Sequence, residues 1–190
     1  MNSFSRNTII NIAVISLIAM FFSCTNNTQK VRDFLADKNM PIGISKNAYH
    51  VYKDSGRITS RLKTPLLHDF SNRKEHPYKE FPKGILITTI SDNGLDSTTV
   101  SGNYAITYDN TAISEIKGNV VVFNHKDKIK LETNQLFWDQ KEAYYFTEDG
   151  FRLTTPKDTI NGYGFESSQD LKKWIAKDIT GDIEADQNEL

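Results

Sequence analysis

Two-residue alternation of apolar and polar side chains most narrows what this chain can fold into. Ile129, Leu131 and Thr133 alternate with Lys128, Lys130 and Glu132, the period of a strand with one face buried and the other in water. The same period puts Tyr104, Ile106 and Tyr108 on one face, opposite Ala105 and Thr107, and sets Val120 and Val122 against Val121 and Phe123. Leu136 shares a face with Trp138, Tyr144 with Phe146, and Phe151 with Leu153. Candidate strands rich in β-branched and aromatic residues run over 48–52, 57–63, 84–91, 97–100, 103–108, 112–116, 119–123, 128–133, 135–138, 142–147, 150–154 and 159–165. Turn chemistry separates them at Asp54-Ser55-Gly56, Asp92-Asn93-Gly94, Asp109-Asn110, Lys117-Gly118-Asn119, Asp149-Gly150 and Thr155-Pro156-Lys157-Asp158. Short strands this closely spaced predict an all-β, antiparallel unit rather than a βαβ fold.

Two segments break the pattern. Residues 31–39, with Val31, Phe34 and Leu35 on one side, form either a short amphipathic helix or an extended tether. Residues 65–82 carry three prolines, at 65, 77 and 82, and lack sustained alternation, which predicts a long loop or irregular edge. His68 and His76 lie there without further ligands at productive spacing, so no metal site is expected. An internal echo also runs through the chain. Tyr104-Ala105-Ile106-Thr107-Tyr108-Asp109 precedes Ile116 and Gly118-Asn119-Val120, and Asn134-Gln135-Leu136-Phe137-Trp138-Asp139 precedes Phe146 and Asp149-Gly150-Phe151. A fainter copy spans Val51-Tyr52-Lys53-Asp54 to Lys83-Gly84-Ile85. Stacked units of this kind bury their faces against their neighbours.

The N-terminus follows other rules. Residues 8–22 are almost continuously apolar, interrupted by Asn11 and Ser16, and they follow a short segment whose one cation is Arg6. That run is shorter than the roughly 20 residues needed to cross a hydrocarbon core, and its flanks fit a secretory signal. The single cysteine of the chain, Cys24, stands where the signal ends, after Ser23. The arrangement resembles the lipobox of bacterial lipoproteins, with Phe21-Phe22 departing from the usual aliphatic-plus-small pair. It implies an acylated Cys24 as the first mature residue and a polar tether behind it.

Chemistry is largely excluded. A net charge of -1 leaves no basic surplus for nucleic acid. A single cysteine excludes a disulfide framework and a cysteine-based zinc cluster. Gly162-Tyr163-Gly164 has no third glycine and no following helix, so it reads as a strand edge or bulge rather than a phosphate loop. Asp109 and Asp139, related by the echo, fit turn caps better than a carboxylate pair for acid/base chemistry. Neither a Ser/His/Asp set nor a Walker motif is present. No enzyme and no cofactor are expected. A sheet with one greasy face and almost no helix either fills its interior with its own side chains or leaves it partly open for an apolar ligand.

The segments Gly118-Asn119-Val120-Val121-Val122, Leu131-Glu132-Thr133-Asn134-Gln135-Leu136-Phe137-Trp138-Asp139 and Gly162-Tyr163-Gly164-Phe165-Glu166-Ser167-Ser168-Gln169-Asp170-Leu171 resemble the LptC family. Its members are periplasmic, membrane-anchored components of the lipopolysaccharide export system. The resemblance implies a twisted, V-shaped β-jellyroll over residues 46–183, after a signal peptide (1–23) and a lipidated cysteine with its tether (24–45), and before a tail (184–190). It implies a non-enzymatic carrier that shields acyl chains in an apolar groove. The groove would be lined by Tyr104, Ile106, Tyr108, Val120, Val122, Ile129, Leu131, Leu136, Trp138, Phe146, Phe151 and Leu153. The implied partners are lipopolysaccharide or lipooligosaccharide, an inner-membrane ABC transporter served by the first strands near 48–63, and a second jellyroll bridge protein. That last partner would meet an edge at Gly162, Gly164 and Phe165, joined by residues 174–183. The implied location is the periplasm, anchored at the inner membrane through Cys24. The alternative is a structural or adhesive lipoprotein with a filled β-sandwich, and a third reading is a hydrolase acting through Asp109 and Asp139.

Overall fold

A computed structural model describes residues 28–91 and 93–180. The expected signal peptide, Cys24, Asp92 of one expected turn, and the tail 184–190 lie outside the described residues. The chain divides into two compact units, Met1–Phe34 and Leu35–Leu190. Helix α1 (Thr28–Asp37) spans the boundary and is amphipathic, with Val31 and Phe34 exposed. Of the two readings of this segment, the structure selects the helix. Among the described residues no helix is long and apolar enough to cross a membrane.

The second unit is a single antiparallel sheet of eleven strands, consistent with a β-jellyroll. In chain order these are β1 (Gly43–Asp54), β2 (Arg57–Phe70), β3 (Tyr78–Phe81), β4 (Ile85–Ile90), β5 (Ser97–Gly102), β6 (Tyr104–Tyr108), β7 (Ile113–Asn124), β8 (Ile129–Asp139), β9 (Tyr144–Thr154), β10 (Thr159–Ser168) and β11 (Trp174–Thr180). The sheet forks in the middle. Between β2 and β7, one path runs through β4 and β5 and the other through β3 and β6. The long strands serve both paths, so each contributes one half to a first leaf, with β4 and β5, and the other half to a second leaf, with β3 and β6.

Where each long strand passes from leaf to leaf, it bends. Register shifts fall between Lys117 and Val120, between Thr133 and Phe137, and between Tyr163 and Phe165. Left-handed backbone occurs on this line at Asn47 (φ 50), Gly118 (φ 74), Asn119 (φ 49) and Gly164 (φ 67). Asn and Gly are the residues that tolerate it. Two threonines fasten the line in the same way. Thr64 Oγ1 donates to Gly84 O at 2.8 Å, and Thr133 Oγ1 donates to Gly150 O at 2.9 Å. Each stands in the spacing Leu-x-Thr-x-x-Leu, as Leu62, Thr64 and Leu67 and as Leu131, Thr133 and Leu136. The flanking leucines of both copies are buried in the core.

This geometry corrects two expectations. Lys117-Gly118-Asn119, Asn134 and Asp149-Gly150 do not end strands but bend them, so pairs of expected short strands are the halves of β7, β8 and β9. Residues 65–82 are not a long loop: Pro65 sits on the bend of β2, that strand continues to Phe70, and β3 begins at Tyr78. Proline is tolerated there because its place in the β1–β2 ladder is opposite Asn47, where regular pairing is interrupted.

The core lies between the leaves. In the first leaf, Leu62, Ile87, Val100, Val122, Leu131, Leu153 and Ile160 form one unbroken row of cross-strand partners, all buried. In the second, Phe81, Ala105, Ile116 and Leu136 form a matching row, and both rows belong to one apolar cluster. Truncating Leu131 or Leu153 to alanine would cost about 2–5 kcal/mol by lost transfer and residual cavity.

β10 is held close to both neighbours by a glycine. A Cβ on Gly162 would stand 2.0 Å from Asp178 O of β11 and 2.9 Å from the Phe151 ring of β9. Gly162→Ala is therefore expected to lower stability by about 1–3 kcal/mol, the range of overpacking. Urea unfolding would read the loss, and an unchanged midpoint would show that β11 is not seated as described.

Candidate functional site

Three features of the second unit could do chemical or physical work: the space between the leaves, the line where the leaves meet opposite the bends, and the two ends of the sheet. The interior is graded. Its middle is the aliphatic row just described, with Val100, Val122, Leu131 and Leu153 wholly inaccessible. Nearer the strand ends away from the bends, the inward side chains become polar. The first leaf presents Ser60, Thr89, Thr98 and Asn124 as successive partners. The second presents Thr107, Ser114, Trp138, Tyr145 and Ser167. We call this margin the lip.

One turn crosses the lip. Between β10 and β11, Gln169 Nε2 donates to Thr89 Oγ1 of the first leaf at 2.8 Å, and Asp170 O accepts from Asn124 Nδ2 at 2.7 Å. Lys172 reaches Asp127 at 3.4 Å. Leu171, at the tip, is wholly buried in the core cluster and holds a left-handed backbone (φ 60). A leucine in that conformation carries strain of about 1–3 kcal/mol, offset here by burial of its side chain. The closing Asp-Leu of the motif ending at residue 171 thus forms a latch between the leaves.

The alternation expected twelve residues on one interior face. Val120, Val122, Ile129, Leu131, Leu136, Trp138, Phe151 and Leu153 do face inward or pack against the core. Tyr104, Ile106, Tyr108 and Phe146 do not. On β6 the buried residue is Ala105, and on the second-leaf half of β9 they are Tyr145 and Thr147. The larger aromatics of these strands lie on the outer face of the second leaf. There Phe70 stacks on Tyr78 at 4.6 Å and Phe137 on Phe146 at 5.1 Å. With Pro77, Tyr108 and Ile113, the second pair lines an outer cleft of about 350 Å³. Interior residues that the alternation left out include Leu62, Ile87, Val100 and Ile160 in the first leaf and Phe81, Ala105 and Ile116 in the second. The repeated Leu-x-Thr-x-x-Leu spacing would have identified Leu62.

The sheet has two ends. Among the described residues β1 pairs with β2 and β11 with β10, and neither pairs further. β1 is exposed along most of its length, with Ile44, Tyr49, Val51 and Tyr52 in water, and β11 exposes Ile175 and Ile179. Unpaired backbone and apolar side chains together make an edge competent for strand addition. Gly162, Gly164 and Phe165 are not at that edge. They stand on β10, covered by β11, and Phe165 is wholly buried. Their small size or bulk serves packing against β11 rather than exposure of β10.

Polar candidates resolve into structural roles. Asp139 Oδ1 accepts from Lys141 N at 2.9 Å and Glu142 N at 3.1 Å, capping the β8–β9 turn. Asp109 pairs with Lys79 Nζ at 2.7 Å. His68 faces Glu80 across β2 and β3 at 3.4 Å, whereas His76 lines the outer cleft. No cluster of three or more metal-ligating side chains occurs among the described residues.

Tyr104 donates to Glu80 Oε1 at 3.0 Å, and burial, with that bond and the Glu80 charge adding to it, pushes its phenol up to about 12. A phenol raised on folding supports the folded state fully below its ordinary value of 10.0 and loses that contribution as pH rises toward 12. Tyr104→Phe is therefore expected to flatten the loss of stability between pH 10 and 12. It should also remove one late-titrating phenol from the tyrosinate absorbance. An unaltered alkaline limb would show that the Tyr104–Glu80 bond is absent.

Residues 8–174 match the family model described as lipopolysaccharide-assembly, LptC-related. A search of curated proteins finds no match.

Proposed function

The chain belongs to the LptC family, which carries a role in lipopolysaccharide transport, and from that premise we propose that it is a non-enzymatic link in the export bridge across the periplasm. The observation that carries the reading is a sheet with an apolar interior and two unpaired ends. An amphiphile with several acyl chains crosses water only if those chains are shielded, at about 0.8 kcal/mol per buried CH₂. An interior lined by aliphatic rows and, among the described residues, free of convergent catalytic groups offers that shielding without fixing the tails in one place. The free edges let the same fold continue into a neighbouring protein by backbone pairing.

In this reading β1 serves the inner-membrane transporter and β11 the next jellyroll, with energy for transport coming from the transporter. Cys24 anchors the chain to the inner membrane through acyl groups, two or more of which give stable binding where one is marginal. With Val100, Val122, Leu131 and Leu153 inaccessible, an acyl chain enters only as the leaves part. The latch at Gln169–Leu171 is the contact that must yield. The closed interior also favours a second reading, a structural lipoprotein with a permanently filled core. The two differ in whether lipid ever reaches the interior.

A photo-crosslinking residue separates them. Placed at Ile129, on the inner lip, it is expected to capture glycolipid in cells, and placed at Tyr108, on the outer face, it is not. Capture at neither position would favour the filled-core reading. Crosslinkers at Val51 and Ile175 are expected to trap the transporter and the bridge protein respectively. Exchange of those partners would reverse the proposed polarity.

A further inference from the structure

Within the lip of the second leaf, the Trp138 Nε1, Tyr145 Oη and Ser167 Oγ atoms are buried and make no hydrogen bond. Trp138 and Ser167 are 9% and 1% exposed, and Tyr145 is wholly buried. They are not scattered. Trp138 is the ladder partner of Tyr145, and Tyr145 that of Ser167, so the three stand side by side on β8, β9 and β10. The Trp138 and Tyr145 rings are 6.0 Å apart. Neighbouring hydroxyls are satisfied: Ser114 Oγ bonds Thr107 Oγ1 at 2.7 Å and accepts from Gln140 Nε2 at 2.8 Å. Tyr145 Oη has no partner within hydrogen-bond distance; the polar group nearest to serving it is the Gln169 side-chain amide, whose interaction opposes the upward push of burial on the phenol. One donor of that amide goes to Thr89.

Buried polar groups are nearly always paired, and each one left alone costs about as much as a lost hydrogen bond. Three adjacent orphans in one row therefore fit a ligand better than they fit a core. Their chemistry is specific. The indole N–H only donates, and each hydroxyl donates or accepts, so the group they suit is an oxygen acceptor, alone or with a donor beside it. Depth selects further. The aliphatic rows lie toward the bend and these groups lie toward the lip. A chain that enters tail first would bring its carbonyl to this level.

We infer that Trp138, Tyr145 and Ser167 form a hydrogen-bonding station for the ester or amide carbonyl, or a hydroxyl, at the head of an acyl chain held between the leaves. The inference rests on the acyl-shielding reading above and gives it a stop: the tail slides freely, and its polar end is registered at the lip. Ser167 also belongs to the wall of a surface cleft with Trp174 and Ile175, but its Oγ is buried, so a ligand reaches it only as the leaves part.

Tryptophan quenching tests both levels separately. Trp174→Phe leaves Trp138 as the single tryptophan of the chain. A brominated fatty-acid methyl ester and the brominated alkane of equal length are then titrated from detergent micelles. Both are expected to quench Trp138. Ser167→Ala and Tyr145→Phe are expected to weaken the ester about three- to tenfold relative to the alkane, while Tm stays level or rises because an orphan has been removed. Quenching by neither probe would overturn acyl binding itself. Quenching by both, with an ester-to-alkane ratio that neither variant changes, would overturn the station alone and leave the row to water.

Discussion

Every long strand of this protein bends where it crosses one common line, and the rest of the architecture depends on that coincidence. A flat sheet of eleven strands would expose its apolar face. Folding it along one line turns the two halves of that face toward each other, so strands that pair along their length also enclose their own core. The line holds because Gly118, Asn119 and Gly164 accept left-handed backbone. It also holds because Thr64 and Thr133 satisfy glycine carbonyls that the interrupted ladder leaves over. The repeated Leu-x-Thr-x-x-Leu segment is this bend in sequence form: a leucine on each leaf and a hydroxyl at the fold.

A sheet folded in this way differs from a closed barrel in keeping its ends. β1 and β11 are left with unpaired backbone among the described residues, a liability in a monomer that pairing with another strand would relieve. It also keeps a lip, opposite the bends, where the polarity of the interior rises and the β10–β11 turn ties the leaves. The latch residues Gln169, Asp170 and Leu171 combine polar contacts across the lip with one deeply buried side chain. That combination ties the two leaves together at the lip. The orphaned groups at Trp138, Tyr145 and Ser167 are set just inside, between the aliphatic rows and the lip.

Alternation identified the interior where a strand had a small or charged residue on its other face. Leu131 against Lys130 and Glu132 left no ambiguity. It failed on β6 and on the second-leaf half of β9, where the outer face carries bulky side chains. Tyr104, Ile106 and Tyr108 outweigh Ala105, and Phe146 rivals Tyr145, but the outer face of the second leaf is itself aromatic and competes for the bulky side chains. Size alone cannot tell a core from a covered exterior, and Ala105 is inside because Ile116 and Phe81 flank it there. The glycine pair on β10 misled for a related reason. Small residues mark close approach of another backbone as readily as an open edge, and β11 supplies that backbone.

By itself the sequence determined the class of the protein: an antiparallel all-β unit, built from echoing segments and carrying the motif spacing of its family. Those properties are local, written in period-two alternation and in turn residues within a few positions of one another. Only the tertiary structure decided that Gly118-Asn119 and Asp149-Gly150 bend strands instead of ending them, and which face of β6 and β9 is inside. It also decided that β11 rather than β10 forms the edge, and that three polar groups meet unpaired beneath the lip. Each of these depends on which strand lies alongside, and pairing between residues distant in the chain is fixed by the packing of the whole sheet.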